Sequence, residues 1–272
     1  CKMSSVTSAH LSSVRLKAVA LPPEHGAWGL LLEPILAGLG VAWSWAGLLL
    51  GLGVLGGFLL RHPLKIITQD RGRGKHYART ALAERVALAY TILAAGGLLG
   101  GLLLAGPEVL LPVPLAAPLA ILLLISYVQN RGRDLGPQIA GVGALAGTAT
   151  AVALAGGATT GTALALWAIM VGRSIPSILY IRARLRLEKG KPFALAPVAA
   201  ANALAVGGVG ALAVVGLVPA LAVVALAILL VRALHGLSSR RRQARVQTLG
   251  FLELGFGALT VLLTVIGYAL GV

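Results

Sequence analysis

Apolar residues run along this chain in long unbroken blocks, separated by short polar or glycine-rich breaks. The blocks fall at residues 26–42, 44–60, 82–105, 110–128, 136–156, 161–181, 194–216, 217–236 and 247–270. Each is close to the roughly 20 helical residues that cross a hydrocarbon layer about 30 Å thick. Leu, Ala, Val and Gly follow one another without the alternation of a barrel strand, so the pattern predicts transmembrane helices and excludes a transmembrane β-barrel. The expected fold class is all-α: a polytopic bundle of about nine spans. Residues 1–20 read as a flexible cytoplasmic tail and residues 21–272 as one transmembrane helical domain.

Composition agrees with the pattern. Of the 272 residues 58% are hydrophobic and 11% charged, and mean hydropathy is +0.91, whereas a soluble domain carries about 25% charged residues. A soluble enzyme is excluded. The single Cys1 excludes an intrachain disulfide and any cysteine-based zinc or iron–sulfur centre. The 36 glycines suit close helix packing in lipid, as at Gly96, Gly97, Gly100 and Gly101 or Gly207, Gly208 and Gly210.

The net charge of +15 changes the picture only through its placement. All Lys and Arg except Arg85 and Arg173 fall in five segments: Lys2 to Lys17, Arg61 to Arg79, Arg131 with Arg133, Arg182 to Lys191, and Arg232 to Arg245. The alternate connections, near Trp43–Ala46, Gly106–Pro112, Gly156–Gly161 and Gly216–Pro219, carry no Lys or Arg. The positive-inside rule then puts the amino terminus in the cytoplasm and the carboxyl terminus outside. Orientation and attraction to anionic head groups account for most of the cations, so no nucleic-acid partner is expected.

Ionisable side chains inside spans are costly and mark functional or structural sites. Glu33 follows Glu24 by nine residues, Arg173 precedes Arg182 by nine, and Glu253 follows Arg245 by eight. At about 1.5 Å per helical residue, all three sit roughly 12–14 Å inward from a cytoplasmic helix end. Arg173 is therefore expected to pair with Glu33 or Glu253 if their helices are neighbours. Asn202 lies slightly deeper. Arg173, Ser177, Tyr180 and Arg184 follow an i, i+4, i+7, i+11 course, one polar stripe on one helix, and Pro176 predicts a kink within it. Such a cluster reads either as an ion pair locking three helices or as the polar wall of a ligand cavity.

The basic loops hold the remaining candidates. Arg71, Arg73, Arg131, Arg182, Arg184 and Arg186 have the guanidinium chemistry that grips phosphate oxygens, and in helical geometry Arg182 and Arg186 share a face while Arg184 meets Glu188. Asp70 and Asp134 are candidate Mg²⁺ ligands, since that ion takes oxygen donors and bridges phosphates. At the first span, Glu24 and His25 are candidate acid–base groups and Trp28 an interfacial anchor.

Pro23-Glu24-His25-Gly26-Ala27-Trp28, Tyr127 through Asp134, Tyr180-Ile181-Arg182 with Arg184 and Arg186, and Glu253 together resemble the YwiC-like family of bacterial membrane proteins. More distantly, nine helices with polar loops after the second, fourth and sixth are similar to the UbiA prenyltransferase superfamily. That likeness implies a cytoplasm-facing cavity where Mg²⁺ and a prenyl diphosphate are held. Asp70 would then recruit the metal, the arginines would hold the phosphates, and His25 or Glu33 would act at the acceptor. Where that superfamily places aspartates after the sixth helix, this chain has Arg182, Arg184, Arg186 and Glu188.

Two functional expectations follow. One is an enzyme that transfers or processes a prenyl or other lipid (di)phosphate. The other is a non-catalytic binder of lipid, quinone or pigment, or a subunit or assembly factor of a respiratory or photosynthetic membrane complex. Membrane lipids, a prenyl diphosphate or other isoprenoid lipid, and a membrane protein complex are the expected partners. A transporter ranks lower, because the chain shows no matching halves with broken helices.

Overall fold

A computed structural model describes residues 16–21, 25–74, 77–129, 131 and 134–272, apart from the side chains of residues 17, 25–27, 124, 127 and 128. Lys2, Arg15, Glu24, Lys75 and Arg133 and the side chains of Lys17, His25 and Tyr127 thus lie outside what is described. All regular structure among the described residues is helical: α1 (Leu16–Ala20), α2 (His25–Val41), α3 (Trp45–Gly72), α4 (Ala78–Ala105), α5 (Val113–Val128), α6 (Leu135–Ala155), α7 (Thr160–Glu188), α8 (Ala196–Val214), α9 (Ala220–Leu237) and α10 (Val246–Leu270). A 3₁₀ turn at Pro107–Leu110 precedes α5.

Each of the nine apolar blocks is occupied by one helix, α2 to α10. Seven of these, α3, α4 and α6 to α10, are long and apolar enough to cross a membrane, while α2 and α5 are shorter. Their ends follow local chemistry. Ser44 caps α3 by accepting from the Gly47 amide at 2.9 Å, and Thr159 caps α7 by accepting from Thr162 at 3.2 Å. After α8 the chain reverses at Gly216, whose φ of +76° suits glycine.

Two helices run further than the apolar blocks suggest. Helix α3 continues past Leu60 to Gly72, and α7 past Ile181 to Glu188, so much of the Arg61–Asp70 stretch, expected as loop, is helix. Arg, Lys, Leu, Gln and Ile in that stretch are compatible with helix, and its far end is fastened to α4 as described below.

Helix α2 is central, packing on α6, α7, α3 and α10. One core cluster gathers Ala37, Ala149, Leu166, Ile169, Met170 and Leu226, and a second gathers Leu31, Ile35, Leu50, Phe58, Leu59 and Val152. Helices α9 and α10 close against α7 and α2, α8 lies on α7 and α9, and α5 lies on α6. Helices α3 and α4 touch backbone to backbone: a Cβ on Gly56 would lie 2.7 Å from the Ala94 amide nitrogen, and one on Gly97 would lie 2.5 Å from that of Gly53. Van der Waals contact between small residues is what holds helices together where lipid removes the hydrophobic incentive. The outward faces are apolar, as at Leu88, Ile92, Leu99 and Leu103 of α4, and Trp43 and Trp45 stack edge to face in the exposed α2–α3 turn.

Candidate functional site

Helix α7 carries two polar faces, and they point in opposite directions. Residues 173, 177, 180 and 184 lie along one side and residues 182 and 186 along the other, as 3.6 residues per turn require. The outer face borders a groove of about 370 Å³. Leu135 of α6, Leu179 and Ala183 of α7, Phe193 of the α7–α8 connection, and Pro197 and Val198 of α8 give it apolar walls, and Arg182 and Arg186 stand at it. The connection turns at Gly190 (φ +63°) and so folds Phe193 back toward α7. Arg182 donates from Nη1 to Gln138 Oε1 at 3.1 Å, and Arg186 donates from Nε to the Pro192 carbonyl at 2.7 Å. Both guanidinium groups are exposed, and their protein partners steer them along the groove.

The inner face builds a buried charge cluster. Arg173, 2% exposed, donates to Glu33 Oε1 at 3.0 Å, to the Glu253 carbonyl at 2.9 Å and to Ser177 Oγ at 2.6 Å, and its Nη1 lies 3.6 Å from Glu253 Oε2. Arg232 of α9 pairs with Glu253 Oε1 and reaches Ser177 Oγ at 3.4 Å. Its guanidinium lies 4.2 Å from the centre of the Tyr180 ring and 5.1 Å from that of Phe256. Glu33, Arg173 and Glu253 are thus joined across α2, α7 and α10. Asn202 is buried but donates to the Val198 carbonyl one turn back on its own helix, at 2.8 Å.

Further along that stripe, Arg184 is 3% exposed and serves as a clasp. It pairs with Glu188 at 2.7 Å and donates to the carbonyls of Gly236 and Arg242, tying α7 to the end of α9 and to the α9–α10 connection. It does not share the groove with Arg182 and Arg186. Arg241 Nε stands 3.8 Å from the same Glu188.

Asp70 is fully buried at the end of α3. Arg79 donates to both of its oxygens, at 3.0 and 2.5 Å, and the Thr80 hydroxyl donates to Oδ2 at 2.8 Å. Asp134 pairs with Arg131 at 3.0 Å, and Arg71 pairs with Glu84 at 2.9 Å. Arg73 caps the end of α3 and is exposed. Among the described residues no three of His, Cys, Asp and Glu come together. Asp70, buried with three donors on its two oxygens, therefore does not fit a Mg²⁺ ion that bridges a diphosphate, whereas Asp134 is exposed and has only Oδ2 taken by Arg131.

Arg232 is the cluster member that sequence reasoning missed, because it was grouped with the loop cations Arg240 to Arg245. The signal was present: it lies within the apolar run Ala220–Ala233, eight residues before Arg240.

A bundle of apolar helices with a charge cluster inside and an arginine-edged groove at one end defines a multi-pass α-helical membrane protein. A family model described as YwiC-like protein matches residues 21–153, from just before α2 almost to the end of α6. The chain is similar to that family over this stretch, which holds Glu33 and Asp70, while Arg173, Arg182, Arg186 and Glu253 lie beyond it. No curated protein and no solved structure matches the chain.

Proposed function

We propose that this protein, in the inner membrane of a bacterium, binds a lipid with an anionic phosphate head group in the groove between α6, α7 and α8. The observation that carries the reading is the pairing of Arg182 and Arg186 with apolar walls formed by Leu135, Leu179, Phe193 and Val198. Guanidinium groups take phosphate oxygens in bidentate fashion, and the walls take a chain of methyl-bearing or methylene carbons. An isoprenoid phosphate or diphosphate has both parts. Cytoplasmic orientation of this end, argued from the alternation of basic connections, puts the groove at the leaflet rich in anionic lipid.

Binding, rather than metal-dependent transfer, is the reading favoured, because the aspartates that a bound metal would need are engaged by Arg79, Thr80 and Arg131. The test is binding of geranylgeranyl diphosphate to the purified protein, with and without Mg²⁺. A charged hydrogen bond contributes about 1.5–3 kcal/mol, so Arg182→Ala with Arg186→Ala should weaken binding by at least about tenfold whether or not Mg²⁺ is present. Unchanged affinity in the double variant would overturn the assignment. Binding that needs Mg²⁺ would return the protein to metal-dependent chemistry.

A further inference from the structure

The groove makes no use of the charge cluster on the other face of α7, which contains two carboxylates and two guanidinium groups within the bundle: Glu33, Glu253, Arg173 and Arg232. With all four ionised the set is neutral. Its hydrogen bonding is nevertheless unequal. Glu33 is 6% exposed, and while Oε1 takes the bond from Arg173, Oε2 is buried without a partner among the described residues. An unpaired carboxylate oxygen away from water is costly.

The cluster is too tightly packed for a ligand of several atoms. A Cβ placed on Gly257 of α10 would overlap the Glu33 carboxylate, and one on Gly29 would stand 3.0 Å from Oε1 and 2.9 Å from Leu254. A proton needs no cavity. Pro34, directly after Glu33, also removes the amide that would bond the Leu30 carbonyl, leaving a backbone acceptor one turn from the carboxyl on its own helix.

We propose that Glu33 is an intramembrane proton-binding site, loaded at Oε2, and that its occupancy decides whether Arg173 is shared between Glu33 and Glu253 or held by Glu253 alone. A hydronium ion gives its proton to the carboxylate: the new O–H bond of the neutral acid replaces the one broken in hydronium, a water molecule is released, and the cluster gains one positive charge. Arg173 keeps the Glu253 carboxylate at 3.6 Å and the Glu253 carbonyl at 2.9 Å. Arg232, set over the rings of Tyr180 and Phe256, holds Oε1 of Glu253, and Oε2 is the oxygen that faces Arg173.

The charged surroundings of Glu33 are few. Helix α7 contributes Arg173, α10 contributes Glu253, and α9 contributes Arg232 through Glu253. Helix α6 and the first half of α3, residues 45–60, carry no ionisable side chain, and on α2 itself the other ionisable residue is His25, eight positions earlier. From the cluster, Ser177, Tyr180, Arg184 and Glu188 continue the polar stripe to the α9–α10 connection, which gives a polar course from Glu33 to the helix ends.

The chain has only eight Asp and Glu residues, which suits infrared spectroscopy of the carboxyl groups. The experiment is a pH series on the full chain in lipid nanodiscs, reading the C=O stretch of protonated carboxyl groups in the wild type, Glu33→Gln, Glu33→Asp and Glu253→Gln. A band that grows as pH falls, disappears in Glu33→Gln and persists with a displaced midpoint in Glu253→Gln is expected. If Glu33→Gln fails to fold, a displaced band frequency in Glu33→Asp makes the same assignment. A wild-type protein with no such band while still folded, or a band unmoved by both Glu33 variants, overturns the proposal.

Discussion

Asp70 and Arg79, nine residues apart in the chain, fasten the end of α3 to the start of α4 through two hydrogen bonds from one guanidinium to one fully buried carboxylate. Arg71 in the last turn of α3 and Arg73 at its cap crowd positive charge at this helix end, which frays more readily without the fastening. Asp70→Asn keeps the shape and removes the charge. It should lower the unfolding temperature and raise amide exchange in residues 65–73, and Arg79→Gln should add little further loss in the double variant. Independent, additive losses in that cycle would show that the two residues do not act as a pair.

Neighbouring glycines of α4 should respond in opposite ways to the same substitution. Gly97 meets the backbone of Gly53, whereas a Cβ on Gly96 meets nothing within 4 Å. Gly97→Leu should destabilise the protein by about 1–3 kcal/mol through forced separation of α3 and α4. Gly96→Leu should leave it unchanged or slightly more stable, since leucine is the better helix former. Thermal unfolding in detergent or nanodiscs measures both, and equal losses would contradict the packing.

Two arginines one half-turn apart should separate stability from binding. Arg184→Ala leaves Glu188 short of its closest cation and frees the carbonyls of Gly236 and Arg242. A loss of about 3 kcal/mol is expected, as for a broken buried pair. Arg186→Ala, at an exposed site, should change stability by less than about 0.5 kcal/mol while weakening binding of an isoprenoid phosphate. Chemical unfolding and ligand titration on the same two variants decide the matter.

Orientation is open to direct measurement. With Cys1 changed to Ser, a single cysteine in place of Lys189 should react with an impermeant thiol reagent only from the cytoplasmic side. One in place of Trp43, in the charge-free α2–α3 turn, should react only from the other. Labelling of both from one side would abolish the alternation argued from the basic connections, and labelling of each from the opposite side would reverse it.

The helical segments were legible because each is a run of apolar residues of bilayer length, and that signal is local. So was the common level of Glu33, Arg173 and Glu253, which meet in the structure, since counting residues from a charged end fixes position along a helix. What could not be read was partnership between helices. The sequence places Asp70 in a basic stretch with several possible cations, and only the packing of α3 on α4 selects Arg79. The groove needs Leu135, Arg182 and Phe193 from three separate segments, and nothing local brings them together. The amino-terminal motif is covered by the family match, while the side chain of His25 lies outside the described residues.

The ion pairs of Arg173 and the clasp of Arg184 hold α7 at two points along its length and so fix its rotation about its own axis. The direction in which Arg182 and Arg186 face is therefore set by charges that never touch the groove. A single residue inserted between Ser177 and Tyr180 would turn everything beyond it by about 100°. It would swing Arg184 out of its clasp and carry the two groove arginines away from Phe193 and Val198. Helix α7 can accept many side-chain replacements on its lipid-facing surface, but its length between the cluster and the clasp is fixed to the residue.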